Sequence, residues 1–160
     1  MTISEFRRDG REPRDDRNSQ RIPPHNVDAE ASLLGAMLLS EDAIATVLER
    51  GLTSEDFYKP AHRHVFDAIR ALTVSGNPVD PITVGEELRR AALLENIGGI
   101  DALLRLQNAT PAISSAERYA KIVRDAAKLR RVIAAAAAIA EIAYSEPADV
   151  DRAQIGRAHV

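Results

Sequence analysis

The stretch SSAERYAKIVRDAAKLRRVIAAAAAIAEIAY, Ser114 to Tyr144, decides the fold class. Its apolar residues Tyr119, Ile122, Ala126, Leu129, Ile133, Ala136, Ala140 and Ala143 recur at alternating spacings of three and four. Those are the a and d positions of a heptad repeat, so the stretch reads as one long helix with an apolar seam. The run Ala134 to Ala138 adds high helix propensity. A seam this regular faces another helix. Once buried, Ile122, Leu129 and Ile133 would each contribute about 1.5–3 kcal/mol; left exposed, they form a patch that invites association. Tyr119, Ile122, Ala126, Leu129, Ile133, Ala136 and Ala140 are therefore expected to pack, either against this chain's own domain or as a subunit interface. Lys121, Arg124, Lys128 and Arg131 form a basic stripe off the seam. It is read as a solvated face, with contact to an acidic partner protein or DNA as the functional alternative.

Ahead of this helix, helix punctuation repeats. Asn26 is an N-cap with Asp28 and Glu30 in the first turn, where acids suit the helix dipole. Leu34, Met37 and Leu38 follow as an apolar stripe, and Gly35 lets a neighbour come close. Ser40 caps a second helix with Ile44, Val47 and Leu48 inward, and Gly51 closes it. Thr53 with Asp56 resembles a capping box, and Pro60 opens a helix through Val65, Phe66, Ile69 and Leu72. Gly76-Asn77-Pro78 stops it. Asp80-Pro81 starts the next, with proline where its missing N–H does no harm; Val84, Leu88 and Ala91 give its buried face. Gly98-Gly99 turns the chain into a short helix over about 100–106, and Ser114 or Ser115 caps the long one. No alternating run of β-branched residues is long enough for a sheet, so the expected fold is all-α.

Composition narrows the function. The 160 residues are 45% hydrophobic but only 4% aromatic, with no Trp, so a core must be built from aliphatic side chains. Cysteine is absent, which excludes a disulfide framework, a thiolate metal site and a Cys nucleophile. A net charge of −3 argues against strong nucleic-acid binding by this chain alone. No apolar run approaches the ~20 residues that span a bilayer, and the charged N-terminus is not a secretory signal; the expected location is cytoplasmic, away from membranes. Residues 1–21 interleave six arginines with acids and bury nothing, so they read as a disordered arm.

Few motifs carry chemistry. No glycine precedes a Lys-Ser or Lys-Thr pair, so the sequence holds no P-loop. His62 and His64 are two apart, which splits their rings between helix faces, and packing or surface roles are expected rather than metal binding. His25 is read as a hinge residue. Glu86 and Glu87 diverge on their helix and are read as surface charges. No catalytic, cofactor or metal residue is expected.

Several phrases, taken in order, carry a resemblance. They are Ile22-Pro23-Pro24-His25-Asn26-Val27-Asp28-Ala29-Glu30 leading into Leu33 to Leu38; Asp56-Phe57-Tyr58 before Pro60 to Phe66; Asp80 to Val84 before Ile97-Gly98-Gly99; Thr110-Pro111; and Tyr119 to Arg124 with Leu129-Arg130. Together, over 22–150, they resemble the N-terminal domain of bacterial replicative DNA helicases of the DnaB type. His25 stands where that family more often has Gln. The resemblance implies a compact helical head over 22–112 and a long helix over 113–145 as the first arm of a helical hairpin. It implies a hairpin turn with the start of a second arm over 146–154. Hairpins of the family pair between subunits, so the collar of a homohexamer is a trimer of dimers that recruits primase. The parent enzyme would unwind duplex DNA with ATP and Mg in a separate motor domain, and would contact single-stranded DNA. Past Gln154 the family pattern gives way to Ile155-Gly156-Arg157-Ala158-His159-Val160. Gly156 breaks helical continuation and the hexapeptide looks like a translated sequencing adapter, so a truncated subunit without ATPase activity is expected. The alternative is a stand-alone helical interaction module without enzymatic activity.

Overall fold

A computed structural model describes residues 21–145 and residue 151. The expected arm over 1–21 (Arg21 apart), the hairpin turn over 146–154 (Asp151 apart) and the adapter-like tail over 155–160 lie outside the described residues. Among the described residues the chain forms seven α-helices and no strand, the all-α class that the periodicity predicts. They are α1 (Val27–Leu39), α2 (Glu41–Glu49), α3 (Pro60–Val74), α4 (Pro81–Arg90), α5 (Leu94–Ile97), α6 (Gly99–Asn108) and α7 (Ala116–Tyr144).

Local chemistry starts most of them. The Asn26 side chain accepts from the Ala29 N–H at 2.8 Å, and Ser40 Oγ accepts from the Ala43 N–H at 3.3 Å. Asp80 accepts from the N–H groups of Ile82 and Thr83, while Thr83 Oγ1 accepts from the Asp80 N–H in return. These bonds satisfy donors that the first helical turn would otherwise leave unpaired. The Thr53–Asp56 box is present, but it organises a 3₁₀ turn over Ser54–Asp56 ahead of α3. α7 differs from expectation. A 3₁₀ turn over Ile113–Ser115 leads into it, and Ser115 makes no side-chain cap bond. Ala91, expected on the buried face of α4, is instead its exposed C-cap.

α1 is the centre of the head. The stripe expected at Leu34, Met37 and Leu38 extends to Leu33 and Ala36, so the helix is buried on every side. The reason is tertiary: α2, α3, α6 and α7 all pack against it, and a helix wrapped by neighbours needs no polar face. Phe57 and Phe66 meet beside it with ring centroids 5.1 Å apart. Gly35 is required by this crowding. A Cβ there would overlap the Leu106 carbonyl oxygen and the Thr110 hydroxyl, so the end of α6 could not lie against α1.

Candidate functional site on the long helix

α7 presents two apolar stripes one residue apart. The head takes Ala116, Ala120, Val123 and Ala127, which are buried against α1 and α2. The heptad seam is the neighbouring stripe, rotated by one residue, about 100°. Its early members Tyr119 and Ala126 are half-buried at the edge of the head. Ile122, Leu129 and Ile133 are 37%, 54% and 50% exposed, and Ala136 and Ala140 are also exposed. Val132 and Ile139 widen the patch. The alanines of the head-facing stripe let α7 approach closely, and this leaves the larger aliphatic side chains free on the adjacent face.

The basic stripe is divided between two uses. Arg124 donates to the Arg50 carbonyl, and Arg131 pairs with Asp56 at 2.8 Å, so both hold α7 on the head. Lys121 pairs with Asp125 one turn on and holds that carboxyl below its ordinary range. Lys128 is exposed.

Arg130 lies between the two stripes; the sequence marked it only as part of the family resemblance, with no role attached. Its guanidinium donates to the Pro24 carbonyl at 2.8 Å and to the Asp56 carbonyl at 2.6 Å, and lies 5.7 Å from the centroid of the Tyr58 ring. His25, read as a hinge, stacks on Tyr58 with centroids 4.1 Å apart. One arginine thus joins the segment before α1, the turn before α3 and the long helix.

Behind Tyr58 lies a buried polar cluster. Glu30 is 1% exposed, yet its carboxylate accepts from the Tyr58 N–H at 2.6 Å, the Lys59 N–H at 3.3 Å and His62 Nδ1 at 2.7 Å. Burial pushes this carboxyl upward, but the bond from His62, the two backbone donors and the imidazole charge outweigh it and hold it below its ordinary value. The sequence reading of Glu30 as a first-turn acid suited to the helix dipole did not foresee this pairing. Helical spacing was the available signal: Glu30 precedes Leu33 and Leu34 by one turn, and His62 precedes Val65 and Phe66 by one turn, so both fall on buried faces.

Among the described residues no group of three His, Asp or Glu is placed to hold a metal ion, and no helix is long and apolar enough to cross a membrane. Residues 22–125 match the family model of the DnaB-like helicase N terminal domain. The chain belongs to this family. Over 140 residues it is 49% identical to the replicative DNA helicase DnaB of Mycobacterium leprae (strain TN), a match that takes in 84% of this chain and 23% of that protein. The replicative DNA helicase DnaB of Leifsonia xyli subsp. xyli (strain CTCB07) is 43% identical over 142 residues, 89% of this chain and 31% of that protein. The chain thus spans less than a third of the length of these DnaB relatives. The crystal structure of the N-terminal domain of DnaB helicase from Mycobacterium tuberculosis superposes with a TM-score of 0.80 at 46% identity, covering 87% of this chain and 100% of that one. A structure of a DnaB-like replicative helicase and its interactions with primase gives a TM-score of 0.70 at 22% identity, over 84% of this chain and 31% of that one; it shares the fold.

Proposed function

We infer that this DnaB-type N-terminal domain works as a collar element, joining subunits of a replicative helicase through the exposed seam of α7 and receiving primase during DNA replication. The observation that carries the reading is the unpaired aliphatic face of α7. Leu129, Val132, Ile133 and Ile139 stand half or more exposed on a helix whose other apolar stripe is already used. Covering the half of each that is still open contributes about 0.8–1.5 kcal/mol, which favours a second helix over solvent. The site residues are then Tyr119, Ile122, Ala126, Leu129, Ile133, Ala136 and Ala140. Lys128 is the member of the basic stripe best placed to meet an acidic partner. A trimer-of-dimers hexamer is the assembly proposed for the parent, with the cytoplasm as its location.

Primase as partner is supported by family membership and by a fold shared with the helicase studied with primase. Duplex unwinding, single-stranded DNA, ATP and Mg belong to the proposed parent enzyme. The given sequence holds no P-loop, so no hydrolytic step is assigned to it. The test is molar mass by light scattering across concentration. The full chain is expected to associate, and Leu129→Asp with Ile133→Asp to leave a monomer of unchanged helicity. Equal masses for both would overturn the reading. A fluorescence-anisotropy titration with primase tests the second half, and no binding to the associated form would refute it.

A further inference from the structure

In the head, Arg50, Arg63, Arg70, Arg89 and Arg90 each have a carboxylate or carbonyl acceptor. Lys59 and Arg105 are the two remaining head cations whose side chains have no such partner among the described residues, and both border one cleft of 210 Å³ where the start of α1 meets α3 and α6. Aliphatic side chains, chiefly Val27, Val65, Ile97 and Leu106, line the rest, and no Asp or Glu lines it. His62 also lines the cleft while being 4% exposed. Its Nδ1 is engaged by Glu30. Nε2, across the ring, is therefore the polar atom it offers, and it has no hydrogen-bond partner among the described residues.

Pockets that enclose a drug-sized molecule run to about 300–1,000 Å³, so this cleft takes one or two side chains rather than a nucleotide. An apolar wall asks for an aliphatic group, and two unpaired cations with an imidazole ask for an anion beside it. The geometry points to this cleft as a docking site for a partner-protein segment in which an Asp or Glu adjoins a Leu, Ile or Val. The aliphatic side chain enters between α1 and α6. The carboxylate meets Lys59 and Arg105 at the rim and accepts from His62 Nε2. Glu30 supports that contact from behind: the imidazolium form, which donates from both nitrogens, suits a ring held between two carboxylates. This site lies apart from the α7 seam and stands whether or not the seam joins subunits.

The probe is the blocked peptide acetyl-Glu-Leu-Asp-Leu-Glu-amide, titrated into the isotopically labelled full chain and followed by amide chemical shifts. Saturable shifts centred on Ala31, His62 and Ala102 are expected. Lys59→Ala with Arg105→Ala should weaken binding by about fivefold or more, given the usual worth of exposed charge pairs. Both side chains are solvent-facing, and an unchanged spectrum of the free variant checks its fold. The Gln/Asn version of the peptide should fail, as should the version with Ser in place of Leu. Equal binding of the neutral peptide, shifts centred on the distal half of α7, or no saturation would each overturn the proposal. Movement of the same resonances on dilution without peptide would also overturn it, since a second copy would then be the occupant.

Discussion

The head and the outer half of α7 use similar residues to opposite ends. In the head, Leu33, Leu34, Met37, Val65, Ile69 and Leu103 are essentially removed from water. Past Ala127, α7 carries Leu129, Val132, Ile133 and Ile139 half or more exposed. The head is self-sufficient because α1 has neighbours on all sides. Past the anchors of Arg130 and Arg131, the outer helix is supported among the described residues mainly by its own backbone bonds and helix propensity, which are marginal without packing. A core and an interface are thus built from the same side chains, and only the presence of neighbours separates them.

The contrast is sharpened first by breaking the head at its polar centre. Glu30→Ala removes a carboxylate that holds two backbone donors and a buried imidazole, and should cost about 3–5 kcal/mol in urea unfolding. A loss under 1 kcal/mol would mean the cluster is solvated. Gly35→Ala pushes a methyl into the backbone of α6 and should cost about 1–3 kcal/mol; an unchanged midpoint would show that α6 moves freely. The third test uses acid. The folded state holds the Glu30 carboxyl below its ordinary value of 4.5, so it binds fewer protons there than the unfolded chain. Its contribution is complete at neutral pH and is lost as pH falls below about 4.5. Glu30→Gln should flatten the acid limb of the stability profile, and an identical limb would refute the assignment.

The outer helix should respond in the opposite sense. Leu129→Asp should shift the stability of the isolated monomer by no more than about 0.5 kcal/mol, though it lies in the proposed interface. A larger loss in dilute samples would show that the residue belongs to the head. A comparably small effect, of opposite sign, is expected at Ala92, a left-handed alanine (φ 57°) closing α4. Ala92→Gly relieves about 1–2 kcal/mol of backbone strain but adds unfolded-state entropy, leaving a gain of about 0.5 kcal/mol in thermal unfolding.

What was legible in the sequence was local. Asn26, Ser40 and Asp80 cap helices because a side chain reaches a backbone N–H two or three residues on, and that requires no knowledge of the fold. Close approach at Gly35 was also readable. The orientation of α7 was not. Alanine and aliphatic residues populate two adjacent faces, and the heptad rule cannot tell the stripe that meets the head from the one that remains open. The Glu30–His62 bond joins residues 32 positions apart, and Arg130 reaches a carbonyl 106 positions away. Such partners are fixed by how helices cross, which no spacing in the chain encodes. The four cations of the basic stripe read as equivalent, yet Arg124 and Arg131 are spent on the head.

The grip of Arg130 on the Pro24 carbonyl has a use at the bench. It tethers the start of the described chain beside the point where α7 leaves the head. Ile22 is 72% exposed and two residues from that tether. The protein contains no cysteine, so Ile22→Cys would carry the only thiol. A dye attached there would sit at the foot of the outer helix and report, by quenching or anisotropy, the arrival of any neighbour, with the helix itself left unlabelled.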